Sequence, residues 1–302
     1  EDVTTAFVEA VKGQSLPGDE QVDKNVAIVY SPLNGTGRKP VLRTLKESGY
    51  TNITVVKEQE LPDGNFPTCP YPNPEIREAL ERGIALCEQV KPDLLLATDP
   101  DADRVGIAVK DGDDYQLLTG NETGALLFDY ICRMRSQLGK MPARPLAVTT
   151  IVSTSIVDAI AADHGVELKR VLTGFKYIGG IQRELEEAGE LDRFIFGFEE
   201  SYGYLAGCHA RDKDAIVASM LICQMARAYR SEGMNLYQAM QALYQKYGYH
   251  HNRTLAFTFE GASGAARMAE IMDSLRADGL DNVAGKAVLE TLDYQPGLGM
   301  LP

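Results

Sequence analysis

The sequence predicts an α/β protein built from two consecutive α/β domains with mixed sheets flanked by helices. Three observations carry that prediction. The chain has 302 residues, more than one ordinary domain holds. Short apolar, strand-like runs alternate with segments of helical period, the rhythm of β-α-β units. That rhythm restarts near Gly120 after a hairpin signal.

Taken in order, EDVTTAFVEAVKG predicts a short helix and QSLPGDEQVDK a linker. NVAIVYSPLNGTG predicts a strand from Val26 to Tyr30 that runs into a tight strand-to-helix turn. Val41, Leu42 and Leu45 then fall at helical spacing, and Ile53–Val56 reads as the next strand, parallel to the first across a crossover helix. Pro62, Pro67, Pro70, Pro72 and Pro74 keep the following stretch irregular. Asn73 with Pro74 predicts a helix start at Glu75, ending near Val90. Asp93–Ala97 reads as a buried strand, and VGIAVKDGDDYQLL as a hairpin turning at Asp111-Gly112.

The second series predicts helices at Gly124–Gln137, Ser155–Asp163 and Gly180–Ala188, and strands at Leu146–Thr150, Glu167–Val171 and Phe194–Phe196. Helices at Asp214–Ser231 and Leu236–Tyr247 follow. The tail offers a strand-like TLAFTF and a helix, GAARMAEIMDSLRADG. No clear internal sequence repeat links the two series.

The composition, 44% hydrophobic and 24% charged, is ordinary for a soluble globular protein. A net charge of −13 argues against a nucleic-acid scaffold or an acidic-membrane partner, whose fields it would oppose. It leaves room for an anionic substrate in a local basic pocket. Cys69, Cys87, Cys132, Cys208 and Cys223 form no C-x-x-C pair, which points to a reducing cytoplasm rather than a disulfide framework. No run has the ~20 apolar residues of a membrane span, and no signal-peptide core opens the chain. The sequence opens at Glu1 and ends abruptly at GLGMLP, so it is expected to be a fragment.

The stretch TDPDADRVGIAV carries the densest chemistry. Asp99, Asp101 and Asp103 stand at alternate positions directly after an apolar strand, with Arg104 next. In an extended segment alternate side chains share a side, so three carboxylates converge. Ligand sites of open α/β sheets lie at such strand ends. An all-oxygen set suits Mg²⁺ or another hard cation. The loop lacks the Gly and Glu of an EF-hand, since those places hold Arg104 and Lys110. A phosphatase of the haloacid-dehalogenase type, with Asp101 as nucleophile, matches the string D-x-D-x-V but leaves Asp99 unexplained.

Two further loops follow strands. In GFEESYGYLAG, Glu199 and Ser201 are two apart and would face one way, a suitable pair for vicinal sugar hydroxyls. In TGFKYIGG, Gly179 and Gly180 are expected to open a helix, and Lys176 could hold a phosphate or hydroxyl near that N-terminus. RDKDA adds Arg211 and Lys213. The histidines show no ligand spacing.

Together, TDPDADR, TGFKYIGG, GFEESYG and RDKDA, in that order, resemble the α-D-phosphohexomutase superfamily of phosphoglucomutases and phosphomannomutases, and most of all its bacterial phosphoglucomutase branch. The resemblance covers roughly residues 25 to 302. It implies residues 1–24 as linker and helix, 25–119 as domain 2 with the metal loop, 120–250 as domain 3 with the sugar loop, and 251–302 as the connection into a truncated domain 4. It further implies Mg²⁺ on Asp99, Asp101 and Asp103, supported by Arg104. Thr173, Gly174, Lys176, Glu199, Ser201, Arg211 and Lys213 would contact the phosphosugar. The implied reaction interconverts hexose 1-phosphate and hexose 6-phosphate through a phosphoserine enzyme and a hexose bisphosphate. The serine loop (T-A-S-H-N-P-like) and the phosphate loop (R-x-S-G-T-E-like) of domains 1 and 4 do not occur here. The chain alone is therefore expected to be inactive. The alternatives are the phosphatase above and a non-catalytic sugar-phosphate-binding module.

Overall fold

The computed structural model describes residues 2–16, 25–253 and 257–294. The first helix, α1 (Val3–Lys12), is capped by Asp2 and buries Val8 and Val11. Every residue of β1 (Ile28–Ser31) is buried, as a central strand with both faces covered requires. α2 (Arg38–Glu47) turns Val41, Thr44 and Leu45 inward and leads to β2 (Ile53–Val55), which pairs parallel with β1 as the crossover rule predicts. α3 (Arg77–Val90) precedes β3 (Leu94–Thr98), parallel to β1 on its other side. The hairpin of β4 (Val105–Asp111) and β5 (Asp114–Leu118) turns through Gly112, whose φ of 61° suits glycine, and completes the order β2-β1-β3-β4-β5.

Thr119 and Glu122 form a capping box that starts α4 (Gly120–Gln137), four residues before the expected boundary. β6 (Leu146–Thr150), α5 (Ile156–His164), β7 (Glu167–Val171), α6 (Phe175–Glu187), β8 (Phe194–Phe198) and β9 (Tyr204–Leu205) follow. They give a second sheet ordered β7-β6-β8-β9, parallel except for β9.

α7 (Ala215–Ser231) is buried along most of its length, which explains the nearly continuous AIVASMLICQMA. It packs on α2 and α4 and against β3 and β4, while α8 (Leu236–Tyr247) covers β4, α4 and α5. One apolar cluster contains Tyr30, Leu96 and Ile107 with Phe196, Phe198 and Val217, so the two sheets share a core. Residues 1–250 form one compact unit and 251–302 another. The second holds α9 (Gly261–Asp278) and a short hairpin, β10 (Asn282–Val283) with β11 (Lys286–Ala287). Among its described residues only Gly264 is buried, and Met268, Met272 and Leu275 make an exposed apolar stripe on α9.

Three local expectations are corrected. The helix after Pro74 begins at Arg77, because Asn73 spends its side chain on the N–H of Glu75 in a turn rather than on a helix end. α6 begins at Phe175, so Gly179 and Gly180 lie inside it. Gly179 is needed there because a Cβ would lie 2.6 Å from the carbonyl oxygen of Arg211. Of the strand expected at TLAFTF, 254–256 lie outside the described residues and Phe257–Phe259 are not a strand. No helix of the described residues is long and apolar enough to cross a membrane.

At the junction of the two sheets a Cβ on Gly120 would fall 1.9 Å from the carbonyl oxygen of Glu200. Gly120→Ala should therefore lower the unfolding free energy by about 1–3 kcal/mol. Urea denaturation measures this, and an unchanged midpoint would contradict the packing described.

Candidate functional site

β3 and β8, central strands of the two sheets, each end at an acid: Asp99 after the first, Glu199 after the second. Neither loop is extended. Residues 100–103 and 200–202 are turns and bends, with Ala102 (φ 59°) and Tyr202 (φ 66°) left-handed. Side-chain direction in both loops is therefore set by the turn and not by the strand alternation expected from the sequence.

Convergence in the first loop comes from the turn itself. Asp99 Oδ1 accepts the N–H of Asp103 at 3.0 Å and of Arg104 at 2.9 Å. Asp99, Asp101 and Asp103 each offer one oxygen, all within 4.8 Å of one another. The turn is held from outside by the SPLNGTG segment. Thr36 donates its N–H and hydroxyl to the Pro100 carbonyl at 2.8 and 3.0 Å. Gly35 lies so close that a Cβ would stand 2.4 Å from Pro100 Cα. Read from sequence as a strand-to-helix turn, this segment is also the buttress of the acidic turn.

Three carboxylates so close need compensation. Arg104 Nε lies 3.9 Å from Asp99 and 3.7 Å from Asp103, and its Nη1 reaches Glu75 at 3.0 Å. Lys213 Nζ bonds Asp103 Oδ2 at 2.5 Å. Burial works to lower the Lys213 pKa, but the Asp103 carboxylate outweighs it and the net shift is upward. Burial, first of all, pushes Asp99 up to about 7 against the N–H bond from Arg104, with the charges of Asp103 and Asp101 adding to the rise.

The residues present suit a hard cation. Asp103 Oδ1 is buried without a hydrogen-bond partner, an unmet acceptor beside two further carboxylates. Oxygens around Mg²⁺ sit about 2.1 Å from the metal, hence about 3–4 Å from each other, so a slight contraction of this cluster would seat one. Lys213 occupies the other oxygen of Asp103 and leaves Oδ1 for the ion.

In the second loop Glu199 is 3% exposed, and its Oε1 accepts the Gly174 N–H at 2.6 Å. This links the GFEES turn to the TGF loop, whose Gly174 has a φ of 122°. Burial, chiefly, raises the Glu199 pKa against that N–H bond; Glu200 adds to the rise, while Lys213 and Arg104 oppose it. Ser201 is half-buried within the turn. Glu200, which the sequence reasoning passed over, accepts the hydroxyls of Thr150 at 2.8 Å and Ser153 at 3.3 Å. Glu75, also passed over, lies on the proline-rich stretch with no motif to announce it.

The two loops meet through the main chain. Arg104 and Gly203 form an antiparallel bridge, and the Val105 N–H donates to the Tyr202 carbonyl at 3.1 Å. Ala215, first residue of α7, donates its N–H to the Ala102 carbonyl at 3.1 Å. An open depression of about 470 Å³ runs from Asp101 and Asp103 past Arg211 and Lys213 to Asp214. Thr173 and Lys176 are exposed at the start of α6, Lys176 lying 5.0 Å over the Tyr177 ring. Arg211 pairs with Glu186 at 2.8 Å. These three do not contact the acidic cluster, whereas Lys213 does. His209 bonds Asp214, the cap of α7, at 2.7 Å.

The chain is similar to known proteins along most of its length. Family models described as phosphoglucomutase/phosphomannomutase α/β/α domain II and domain III match residues 5–112 and 119–247. A phosphoglucomutase of Staphylococcus saprophyticus is 35% identical over 98% of this chain and 52% of its own length. That of Staphylococcus haemolyticus is 34% identical over 90% of this chain and 48% of its own. The crystal structure of a phosphoglucomutase/phosphomannomutase family protein from Burkholderia thailandensis shares the fold, with a TM-score of 0.66 at 18% identity over 95% of this chain and 54% of that one. The chain thus belongs to the phosphoglucomutase/phosphomannomutase family, of which it carries domains II and III. It spans about half the length of the curated relatives it matches.

The raised Asp99 pKa has a consequence for stability. Protonated Asp99 favours the folded state at pH values below its ordinary value of 3.8, and that contribution is lost as pH rises toward about 7. Asp99→Asn keeps an oxygen for both N–H groups and cannot ionise. In metal-free buffer the variant should gain stability relative to the parent between pH 4 and about pH 7, followed by urea unfolding across that range. A pH-independent difference would contradict the assignment.

Proposed function

We propose that this chain is the metal- and sugar-holding part of a phosphoglucomutase-type phosphohexomutase, an isomerase interconverting hexose 1-phosphate and hexose 6-phosphate. The reaction would run through a phosphoserine enzyme and a hexose bisphosphate. The observation that carries this reading is the main-chain junction of the acidic turn and the Glu199 turn, which brings cation ligands and a hydroxyl acceptor to one seam between the two domains.

In this reading Asp99, Asp101 and Asp103 hold Mg²⁺. When bound, the ion would draw charge from a transferring phosphoryl group. Arg104 and Lys213 keep the carboxylates from repelling one another and place positive charge at the seam. Glu199, fixed through one oxygen by Gly174, has its other oxygen for a sugar hydroxyl, with Ser201 beside it in the turn. Thr173, Gly174, Lys176 and Arg211 line the approach for the remaining hydroxyls and phosphate. The nucleophilic serine and the second phosphate grip would come from domains 1 and 4, whose loop strings the chain lacks. Residues 25–119 and 120–250 would then be domains 2 and 3, and 251–302 the start of domain 4. The exposed Met268, Met272 and Leu275 stripe is where the rest of that domain would pack. Family membership favours this reading over the phosphatase alternative, for which only the D-x-D-x-V string speaks.

Two measurements test this. The 302-residue chain, given Mg²⁺, glucose 1-phosphate and a bisphosphate activator, should show no turnover; robust formation of glucose 6-phosphate would overturn the half-site reading. In the full-length enzyme Asp101→Ala should lower kcat by about 10²-fold or more, the size of effect seen when a preorganised charge is removed. An unchanged kcat would remove the metal assignment.

A further inference from the structure

A cavity of about 210 Å³ lies where the ends of α1 and α2 meet α7, and it shares no lining residue with the depression beside the acidic turn. Arg227 reaches into it from α7, roughly three helical turns beyond Ala215. Its side chain is nearly inaccessible, with the residue 3% exposed, yet among the described residues its guanidinium makes no hydrogen bond or ion pair. Tyr50, 1% exposed, lines the same cavity, and its hydroxyl is likewise without a partner.

The neighbouring groups are already committed. Glu47 holds Lys12 and Arg43, each at 2.8 Å. Gln224 accepts the Leu16 N–H at 3.0 Å and donates to Ser15 at 2.6 Å. The carbonyls at the end of α2 accept the N–H groups of Ser48, Gly49 and Tyr50. Arginine does not shed its proton, so it cannot escape the cost of burial by becoming neutral. A buried guanidinium facing a polar cavity calls for an anion.

We propose that Arg227 and Tyr50 form a binding site for a small oxyanion of the phosphate or carboxylate class. The guanidinium fork would take two oxygens and the Tyr50 hydroxyl a third. A cavity of about 210 Å³ is below the usual size of sites for drug-sized ligands, so a small oxyanion suits it better than a hexose bisphosphate.

The test is thermal unfolding and calorimetric titration of the 302-residue chain with inorganic phosphate, against chloride at matched ionic strength. A saturable rise in Tm of about 3–6 °C is expected at ten times Kd. Arg227→Met should abolish it, and Tyr50→Phe should weaken binding about tenfold. Lys213→Ala should leave it intact. No saturable effect overturns the proposal, as does an effect that survives Arg227→Met and disappears in Lys213→Ala, which would place phosphate at the acidic turn. If Arg227→Met does not fold, unchanged affinity in Tyr50→Phe is decisive against it. Asp19, Glu20 and Asp23 follow Leu16 in the sequence. A phosphate response absent from the parent but gained when all three are amidated would mean the chain's own carboxylates hold Arg227, overturning a site for a free ligand.

Discussion

One main-chain pairing, Arg104 with Gly203, determines how the rest of the site is arranged. It fastens the end of the acidic turn to the end of the Glu199 turn and, with the Val105–Tyr202 hydrogen bond and the Lys213–Asp103 ion pair, fixes the spacing between the two sheets. Close approach makes it possible. A Cβ on Gly203 would stand 2.4 Å from the Lys213 side chain, so glycine there lets Lys213 pass over the bridge to reach Asp103. Side-chain chemistry at the seam thus rests on a backbone contact that needs an absent side chain.

Charge balance follows from the same construction. The three aspartates are tolerable because Arg104 arrives from their own turn and Lys213 from the other domain. Glu75 holds the far side of Arg104, and the loop that carries it is pressed onto β4, where a Cβ on Gly106 would lie 2.8 Å from Pro74. The cluster is therefore neither a bare acidic patch nor a closed salt bridge. One buried oxygen of Asp103 remains unmet, and the Asp99 carboxyl sits where burial and like charge disfavour ionisation.

Much of this was legible in the sequence. The alternation of apolar runs and helical periods located nearly every element, because buried parallel strands and amphipathic helices leave strong periodic traces. The four loop motifs identified the family. What the sequence could not convey was direction within turns. The left-handed residues Ala102 and Tyr202 carry none of the glycine signal that usually marks such positions, so both loops read as extended. The glycines of α6 read as a helix start because glycine more often ends structure than makes room for a crossing backbone, as Gly179 does for Arg211. Glu75, Glu200 and the unpartnered Arg227 gave no sign in one dimension. Their significance depends on what lies across a gap or fails to, and spacing along the chain holds no record of that.

The bridge also joins two turns that are each closed on the residue it pairs. Asp99 donates its N–H to the Arg104 carbonyl, Glu199 donates to that of Gly203, and Arg104 and Gly203 then pair with each other. The two closures differ by one residue, spanning five positions in the first turn and four in the second, and they meet across an antiparallel contact. A small molecule lying against that contact meets one turn from each domain. Because the two turns are held by one contact, neither can shift toward such a molecule without carrying the other with it.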